Sequence, residues 1–349
     1  MRYDTDGLIA FAGQLLEAAK LPPDKSRAVA QVLVEGDLMG HTTHGLALLA
    51  MYLNELKTGA MNREGEPAMV AQAPATSTWD GRRLPGPWLV LRAMDEAMER
   101  ARTYGTGTVV IRRSHHIACL AAYLKRATDA GFIMLLACSD PNAASVAPYG
   151  GLDPVFTPNP IAFGIPTSGD PVLVDVSTSA TTNGMTARVN REGGRMPAKW
   201  MIDANGEPTD DPSVLFNDPK GTILPLGGID SGHKGYGLTL LVEALTGGLT
   251  GHGRADPKEG WGATVFVQMI DPRAFAGEAQ FNRQSDEVAR RCHASRPAHA
   301  GSPVRMPGER GLELARQQRE SGVALHASIM PMLEPWSREL GVPIPAALS

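Results

Sequence analysis

The N-terminal part of the chain alternates apolar and polar residues with the period of an α-helix. Apolar residues between Leu8 and Ala19 recur at spacings of three and four, so they share one face of a helix. Pro23 suits the first turn of a second helix, and a third helical pattern runs over residues 45–56. The pattern therefore predicts a helical N-terminal region.

Short β-branched and apolar runs indicate strands from residue 68 onwards. Two extended segments, at 68–73 and 76–79, precede an amphipathic helix over 87–103 and the strand TVVI at 108–111. The stretch RRSHHIACLAAYL (112–124) follows directly, which places two adjacent histidines at a junction between a strand and a helix. Such a junction is a common place for functional side chains.

The middle of the chain has the pattern of a sheet, and its end is helical again. Residues 150–232 contain short β runs separated by turn residues, which is typical of mostly antiparallel neighbours. A helix over 236–245 and a strand over 263–270 precede a helical tail from Glu309. We expect a mixed α/β protein in which both chain ends pack together around a central, sheet-rich domain.

Composition excludes several classes of function. The formal net charge of −4 is spread along the 349 residues, without the basic patch that nucleic acid or a membrane surface would require. Three separated cysteines and a first segment without the apolar core of a signal peptide predict a reducing, cytoplasmic location. Neither GxGxxG between strand and helix nor GxxxxGK[ST] is present, so the common nucleotide fingerprints give no support.

Two histidine-containing stretches are candidates for chemistry. In GHTTHG (40–45), Thr43 can cap a helix beside a surface histidine, or orient His44 for proton transfer. His115 and His116 are adjacent and therefore face different ways, and no further ligands occur at metal-site spacing. We expect no metal site.

Two glycine-containing stretches are candidates for binding an anion. In GGIDSGHKGYG (227–237), glycine-rich backbone leads into a helix with Lys234 at its start, which suits phosphate or carboxylate but equally a solvated lysine. In VRMPGERG (304–311), a turn presents Glu309 and Arg310 before a helix, where an acid can also serve as a simple cap.

Taken together, the stretches resemble the malate/L-lactate dehydrogenase family of the non-Rossmann type, whose relatives include ureidoglycolate dehydrogenase, sulfolactate dehydrogenase and Δ1-piperideine-2-carboxylate reductase. The resemblance spans nearly the whole chain in the family's order. The matching stretches are THGLALLAMYL (43–53), HHIACLAAYLKRATDAG (115–131), APYGG (147–151), NPIAFGIPT (159–167), DVSTS (175–179), EPTDDP (207–212), GHKGYGLTLLVEALTGGLTG (232–251) and VRMPGERG (304–311).

The resemblance implies a non-Rossmann NAD(P)-binding domain with a largely antiparallel sheet over 116–299. It further implies a helical substrate and dimerisation domain formed by 1–115 and 300–349. The implied activity is hydride transfer between NAD or NADP and C2 of a small 2-oxo or 2-hydroxy acid, in a homodimer. Which acid and which of the two cofactors is used stays open.

The resemblance also implies site residues. His116, His44 and Thr43 correspond to the catalytic positions; His116 is favoured as proton acceptor or cofactor-side contact, but the choice between the histidines stays open. The residues at cofactor-contacting positions are His116, Ile117, Ala118, Cys119, Leu120, Asp175, Val176, Ser177, His233, Lys234, Arg305, Pro307, Gly308, Glu309 and Arg310.

The sequence departs from the family pattern at four positions. Leu48 replaces an arginine that grips the substrate carboxylate, so another cation must serve, and Arg112, Arg113 and His41 are open alternatives. The other departures are Pro158 for a threonine, His115 for an asparagine, and Met185 for an aspartate of the imino-acid reductases.

These departures leave three hypotheses. A 2-hydroxy acid dehydrogenase leads, because the aspartate of the imino-acid reductases is replaced by Met185. The alternative is a reductase of the cyclic imino acids Δ1-piperideine-2-carboxylate and Δ1-pyrroline-2-carboxylate. A non-catalytic binding homologue is the remote third.

Overall fold

The computed structural model of the protein describes residues 1–299 and 301–348. The α-helices are α1 (Thr5–Ala18), α2 (Pro23–Leu38), α3 (Leu49–Thr58), α4 (Gly86–Tyr104), α5 (Ala121–Asp129), α6 (Asn183–Arg191), α7 (Gly228–Glu243), α8 (Glu278–His293), α9 (Glu309–Ser321) and α10 (Ile329–Leu340). The strands are β1 (Arg2–Tyr3), β2 (Ala68–Ala73), β3 (Thr76–Asp80), β4 (Thr106–Ser114), β5 (Ile133–Ser139), β6 (Ile161–Ile165), β7 (Val172–Val176), β8 (Met201–Ile202), β9 (Pro208–Thr209), β10 (Thr222–Ile223), β11 (Ala263–Ile270) and β12 (Val323–Ala324).

A seven-stranded sheet in the order β2-β3-β4-β11-β5-β6-β7 forms the centre of the molecule. Only its β3–β4 pair is parallel, and the other neighbours are antiparallel. Helix α4 lies against β4 and β11, where Val109, Ile111 and Val265 are fully buried. The expected α/β fold with a largely antiparallel, non-Rossmann sheet is therefore confirmed.

Strand β4 carries an irregularity that redirects the chain towards the histidine pair. Ser114 pairs with Ala263, whereas Ile111 pairs with Val265, so β4 contains one extra residue between these pairs. Arg113, within the bulge, has a φ of 50° and is held by an ion pair with Asp80 at 2.9 Å. The chain leaves the sheet here and forms a loop as far as α5.

The two chain ends join in one helical region, as the sequence predicts. Arg2 pairs with Ala324 in a two-stranded sheet. The buried Gln318 amide donates to the carbonyl oxygens of Asp37 and Leu38, at 3.1 and 2.9 Å. The division into domains at residues 115 and 300 stays a prediction; residues 300 and 349 lie outside the described residues.

The apolar pattern of the sequence does not predict two of the helices. Helix α6 buries only Thr186, and α8 buries none of its residues, so neither packs an apolar face into the core. The hydroxyl of Thr182 accepts the backbone N–H of Met185 at 3.2 Å, and this N-cap is the one sequence signal for α6. Among the described residues, no helix has the length and apolar character needed to cross a membrane.

The loop before α3 is built on a buried carboxylate. Asp37 accepts the backbone N–H of Leu46 at 2.7 Å, and a Cβ at Gly45 would collide with this carboxylate. Its other oxygen, Oδ1, has no hydrogen-bond partner in the described part of the chain. Burial raises the pKa of Asp37 to about 7, against the opposing effects of the Leu46 N–H and the Arg188 charge.

We predict that Asp37→Asn stabilises the protein more at pH 8 than at pH 5. The folded pKa of Asp37 lies above the unfolded value, so the wild type loses stability as the pH rises towards 7, whereas the amide of the variant does not titrate. The difference in unfolding free energy between the variant and the wild type should grow by about 3 kcal/mol over this interval. Urea unfolding at both pH values measures it, and an equal difference at both would contradict the proposed cost of burial.

Candidate active site

A cavity of about 930 Å³ opens where the helical region meets the sheet. Its walls come from the loop before α3, the loop between β4 and α5, β7 and the first turns of α6. The predicted site residues on its walls are Thr43, His44, His116, Ala118, Cys119, Leu120, Asp175 and Ser177. The structure thus brings together segments separated by more than a hundred residues.

His116 is held in one protonation form by its neighbours. Its Nδ1 accepts the backbone N–H of Ala118 at 3.2 Å, and Ala118 has a φ of 60°. The Tyr52 hydroxyl lies 3.0 Å from the same Nδ1 and donates to the His116 carbonyl oxygen at 3.0 Å. Because a backbone N–H can only donate, Nδ1 keeps its lone pair and Nε2 carries the proton.

An aromatic cluster fixes the plane of the His116 ring. Trp261 stacks on it with ring centres 4.7 Å apart and planes inclined by 29°. Tyr52 is fully buried and meets Trp261 at 5.7 Å. Gly86, at the start of α4, lies so close to the carbonyl oxygens of His115 and His116 that a Cβ would collide with them. Packing therefore leaves the His116 ring little freedom.

His115 is buried next to His116 and does not line the cavity. Its ring is fully buried outside the cavity walls, and Nε2 lies 3.2 Å from a Glu55 carboxylate oxygen. Burial, aided by the Arg83 charge, lowers the pKa of His115 to about 3, so the ring is neutral. The two histidines of SHHI thus separate into a cavity-facing residue and a buried one.

His44 faces His116 across the cavity, with ring centres 6.0 Å apart. The hydroxyl oxygen of Thr43 lies 2.8 Å from His44 Nδ1. A Cβ added to Gly184 would lie 3.7 Å from His44 Cε1, so the first turn of α6 covers this ring. The hydroxyl contact and the covering helix fix the orientation of the second imidazole.

Both cavity-facing imidazoles are biased towards the neutral form. Burial lowers the pKa of His44, the charges of His41 and Arg188 add to the effect, and the Asp175 carboxylate opposes it. Burial lowers the pKa of His116 well below its ordinary range, and the His44 and His115 charges add to the effect. Of the two imidazoles, only His44 has the Asp175 charge among the causes of its shift, and its pKa is lowered less than that of His116.

Arg188 is a cavity residue that the sequence analysis did not identify. It lies on α6, where Nη1 donates to the Thr42 hydroxyl at 2.8 Å and Nη2 donates to the Thr42 carbonyl oxygen at 2.6 Å. Leu48 supplies an apolar part of the wall. Because the apolar pattern does not mark α6, nothing in the sequence places an arginine at this position beside His44.

The three residues considered as replacements for the arginine that is absent at position 48 occupy different places in the structure. Arg112 and Arg113 both pair with Asp80, at 3.2 and 2.9 Å, and lie outside the cavity walls. His41 lines the cavity, as do Arg188 and Arg191. The arginines on the cavity wall therefore lie on α6 and not on β4, and the His41 imidazole joins them from the loop before α3.

The remaining predicted cofactor residues lie outside the walls of this cavity. Ile117 is buried, whereas Val176 is exposed on β7 and the His233 ring packs against Tyr149. Glu309 bonds to His293 and to the Met306 N–H, and the Pro307 carbonyl oxygen accepts the Leu173 N–H of β7 at 3.0 Å. The residues outside the walls are Ile117, Val176, His233, Lys234, Arg305, Pro307, Gly308, Glu309 and Arg310.

Comparison with known proteins agrees with this fold. The sequence pattern of the family described as malate/L-lactate dehydrogenase matches residues 3–334. The chain belongs to the malate/L-lactate dehydrogenase family. Membership confirms the class expected from the sequence, a nicotinamide-dependent oxidoreductase acting on CH–OH groups.

Individual relatives cover almost the entire chain. The L-sulfolactate dehydrogenase of Methanothermobacter thermautotrophicus is 30% identical over 98% of both chains. The crystal structure of malate dehydrogenase from Entamoeba histolytica has a TM-score of 0.93 and 26% identity over 99% of both chains. The Δ1-piperideine-2-carboxylate reductase from Pseudomonas syringae has a TM-score of 0.83 and 26% identity, covering 96% of this chain and 99% of that one.

We predict that His116 keeps the neutral Nε2–H form between about pH 6 and 8, because the Ala118 N–H occupies Nδ1. Nitrogen-15 NMR of histidine-labelled protein, assigned with a His116→Asn variant, measures the tautomer. A protonated ring or an Nδ1–H form in this range would contradict the geometry.

Proposed function

We propose that the protein catalyses reversible hydride transfer between NAD(P)H and C2 of a small 2-oxo or 2-hydroxy acid, of the malate or lactate type, in this cavity. The observation that carries the proposal is the pair of facing imidazoles, 6.0 Å apart, with a guanidinium beside them. A 2-hydroxy acid offers an oxygen that must gain or lose a proton and a carboxylate that needs a cation.

The two histidines take different roles in this proposal. His116 donates a fixed hydrogen bond from Nε2–H to the C2 oxygen, because its Nδ1 is already occupied. His44 moves the proton, since the Asp175 charge favours its protonated form and Thr43 orients the ring at 2.8 Å. A neutral imidazole that polarises a carbonyl beside a separate acid/base is an established division of labour.

The cavity residues fit a nicotinamide cofactor. A volume of about 930 Å³ lies near the upper end of the roughly 300–1,000 Å³ of small-molecule sites. The Asp175 carboxylate on its wall suits a ribose hydroxyl, and the strained backbone at Ala118 is of the kind that accumulates at ligand sites. The cofactor, when bound, supplies or accepts the hydride.

Arg188 takes the carboxylate-binding role that Leu48 leaves open. Its two Nη groups hold Thr42, so the guanidinium is fixed beside the loop that carries His44. Burial lowers the pKa of Arg188, but an arginine stays charged at any physiological pH. A charged donor in a partly dry site binds carboxylate strongly.

A reductase of cyclic imino acids is the second candidate, because the P. syringae reductase has the same fold. Met185, where such reductases have an aspartate, lines the cavity with an apolar side chain. We infer that this position disfavours an imino substrate, whose nitrogen is better served by a carboxylate. The relative rates on Δ1-piperideine-2-carboxylate and on pyruvate or oxaloacetate distinguish the two.

We further propose a cytoplasmic homodimer. Leu238, Leu240 and Leu241 on α7 are 39–47% exposed, which is unusual for neighbouring leucines on one helix. A second copy that covers this surface would also lie beside Lys234, which the sequence predicts to contact the cofactor. Sedimentation equilibrium with Leu241→Glu tests the dimer.

We predict turnover of NADH or NADPH with at least one of a panel of 2-oxo acids. Both cofactors belong in the assay, since the sequence offers Arg305 and Arg310, at predicted cofactor positions, as cations for a 2′-phosphate. His44→Asn and His116→Asn should each lower kcat by roughly 10²–10⁴, whereas the matched control His299→Asn, exposed and outside the cavity, should not. Tight cofactor binding without turnover on any acid would refute the proposed function.

We predict that Arg188→Met raises KM for the acid and lowers kcat/KM by roughly ten- to hundred-fold. Each factor of ten corresponds to about 1.4 kcal/mol of lost transition-state binding free energy. Leu48→Arg in the same chain should restore part of the loss. Arg195→Met, whose guanidinium pairs with Asp210 and Asp211 outside the cavity, is the matched control.

The same variant identifies the proton-transfer residue. Hydroxy-acid oxidation requires a neutral base, so activity falls as the pH drops through the pKa of that base. The Arg188 charge lowers the pKa of His44, whereas the charges that lower the pKa of His116 are those of His44 and His115. Arg188→Met should therefore move the acid limb of kcat to higher pH. An unmoved limb would assign the proton to His116.

A further inference from the structure

Three side chains with metal-binding atoms meet on one wall of the cavity. His41, Cys119 and Asp175 each offer one ligand atom, and these atoms all lie within 4.8 Å of one another. They come from the loop after α2, the loop before α5 and strand β7, so the fold alone brings them together. We expected no metal site because the adjacent His115 and His116 face different ways and no further ligands occur at metal-site spacing along the sequence.

We propose that His41, Cys119 and Asp175 form a binding site for a thiophilic divalent cation of the Zn²⁺ class. Imidazole, thiolate and carboxylate are all zinc ligands, and a thiolate selects zinc over magnesium or calcium. When the ion binds, the Cys119 thiol releases its proton to solvent, and the thiolate and the Asp175 carboxylate then balance the two positive charges of the ion beside a neutral imidazole. A neutral complex is the form that a half-buried position tolerates best.

The three ligand atoms lie within 4.8 Å of one another and must move closer together to bind zinc. Zinc bonds of roughly 2.0–2.3 Å put tetrahedral ligand atoms roughly 3.3–3.8 Å apart. The Cys119 thiol already donates to Asp175 Oδ2 at 3.7 Å, and the Ala121 N–H holds the same oxygen at 2.8 Å. The backbone donor is the kind of support that orients a ligating carboxylate.

Three protein ligands leave one coordination position, and all three residues line the cavity. The open position therefore faces the space between the helical region and the sheet, as in zinc sites that exchange a ligand. In a consequence that rests on the proposed function, the ion and the cofactor exclude each other, since Cys119 and Asp175 lie at predicted cofactor positions.

Cobalt substitution tests the site without any turnover assay. Adding Co²⁺ to the purified chain should produce one equivalent of a thiolate-to-cobalt charge-transfer band with the strong visible bands of a tetrahedral site. Cys119→Ser should abolish the charge-transfer band, and His41→Asn and Asp175→Asn should weaken Co²⁺ binding by about ten-fold or more. Cys138→Ser, a cysteine on the same cavity wall but outside the cluster, should keep the band.

Absence of the band in the wild type, its survival in Cys119→Ser, or its loss in Cys138→Ser would overturn the site. Zn²⁺ should raise KM for the cofactor at least ten-fold in the wild type and should leave it unchanged in Cys119→Ser. Equal zinc sensitivity of the two proteins would overturn the exclusion of cofactor. An inactive wild type that still shows the cobalt band would refute the proposed function and keep the metal site.

Discussion

The contact between Tyr52 and His116 joins the two halves of the candidate site. Tyr52 belongs to α3 of the helical region, and His116 follows β4 of the central sheet. The hydroxyl of the fully buried Tyr52 donates to the His116 carbonyl oxygen at 3.0 Å and lies at the same distance from Nδ1. Because an unmade hydrogen bond at such a place is costly, the two regions are fixed relative to one another. The cavity between them depends on that registry.

The remaining geometry follows from the same junction. The bulge at Arg113 turns the chain out of the sheet, Gly86 lets α4 approach, and Trp261 fixes the plane of the His116 ring. On the opposite wall, the buried Asp37 holds the loop that carries Thr43 and His44. Two imidazoles thus face each other on rigid supports, which is what proton transfer and hydrogen bonding at one carbon require. The unfavourable burial of Asp37 is the stability cost of this arrangement.

The sequence predicted the local elements well where packing gives them a period. One face or both faces are buried in helices α1, α2 and α4 and in strands β4 and β11. Their apolar residues therefore recur with a period that predicts the element. Helix α6 is short and buries a single threonine, so the sequence analysis did not predict it, and Arg188 was missed with it. Trp261 was missed for a different reason, and so was the clustering of His41, Cys119 and Asp175. Their proximity is created by sheet order and loop docking, which no spacing along the chain encodes.

The family resemblance and the structure contribute differently to the roles of His44 and His116. Resemblance selected His116 and His44 but could not divide their roles; the Ala118 N–H, which occupies Nδ1 of His116, supports the division proposed above. The central claim is that one substrate carbon lies between these rings with its carboxylate on Arg188. A crystal structure with NADH or NADPH and oxamate, an unreactive 2-oxo acid analogue, tests this most directly. We expect the oxamate carboxylate at Arg188 and its carbonyl oxygen within hydrogen-bond distance of His116 Nε2. Oxamate bound away from both histidines, or with its carboxylate held by Arg112 or Arg113, would contradict this claim.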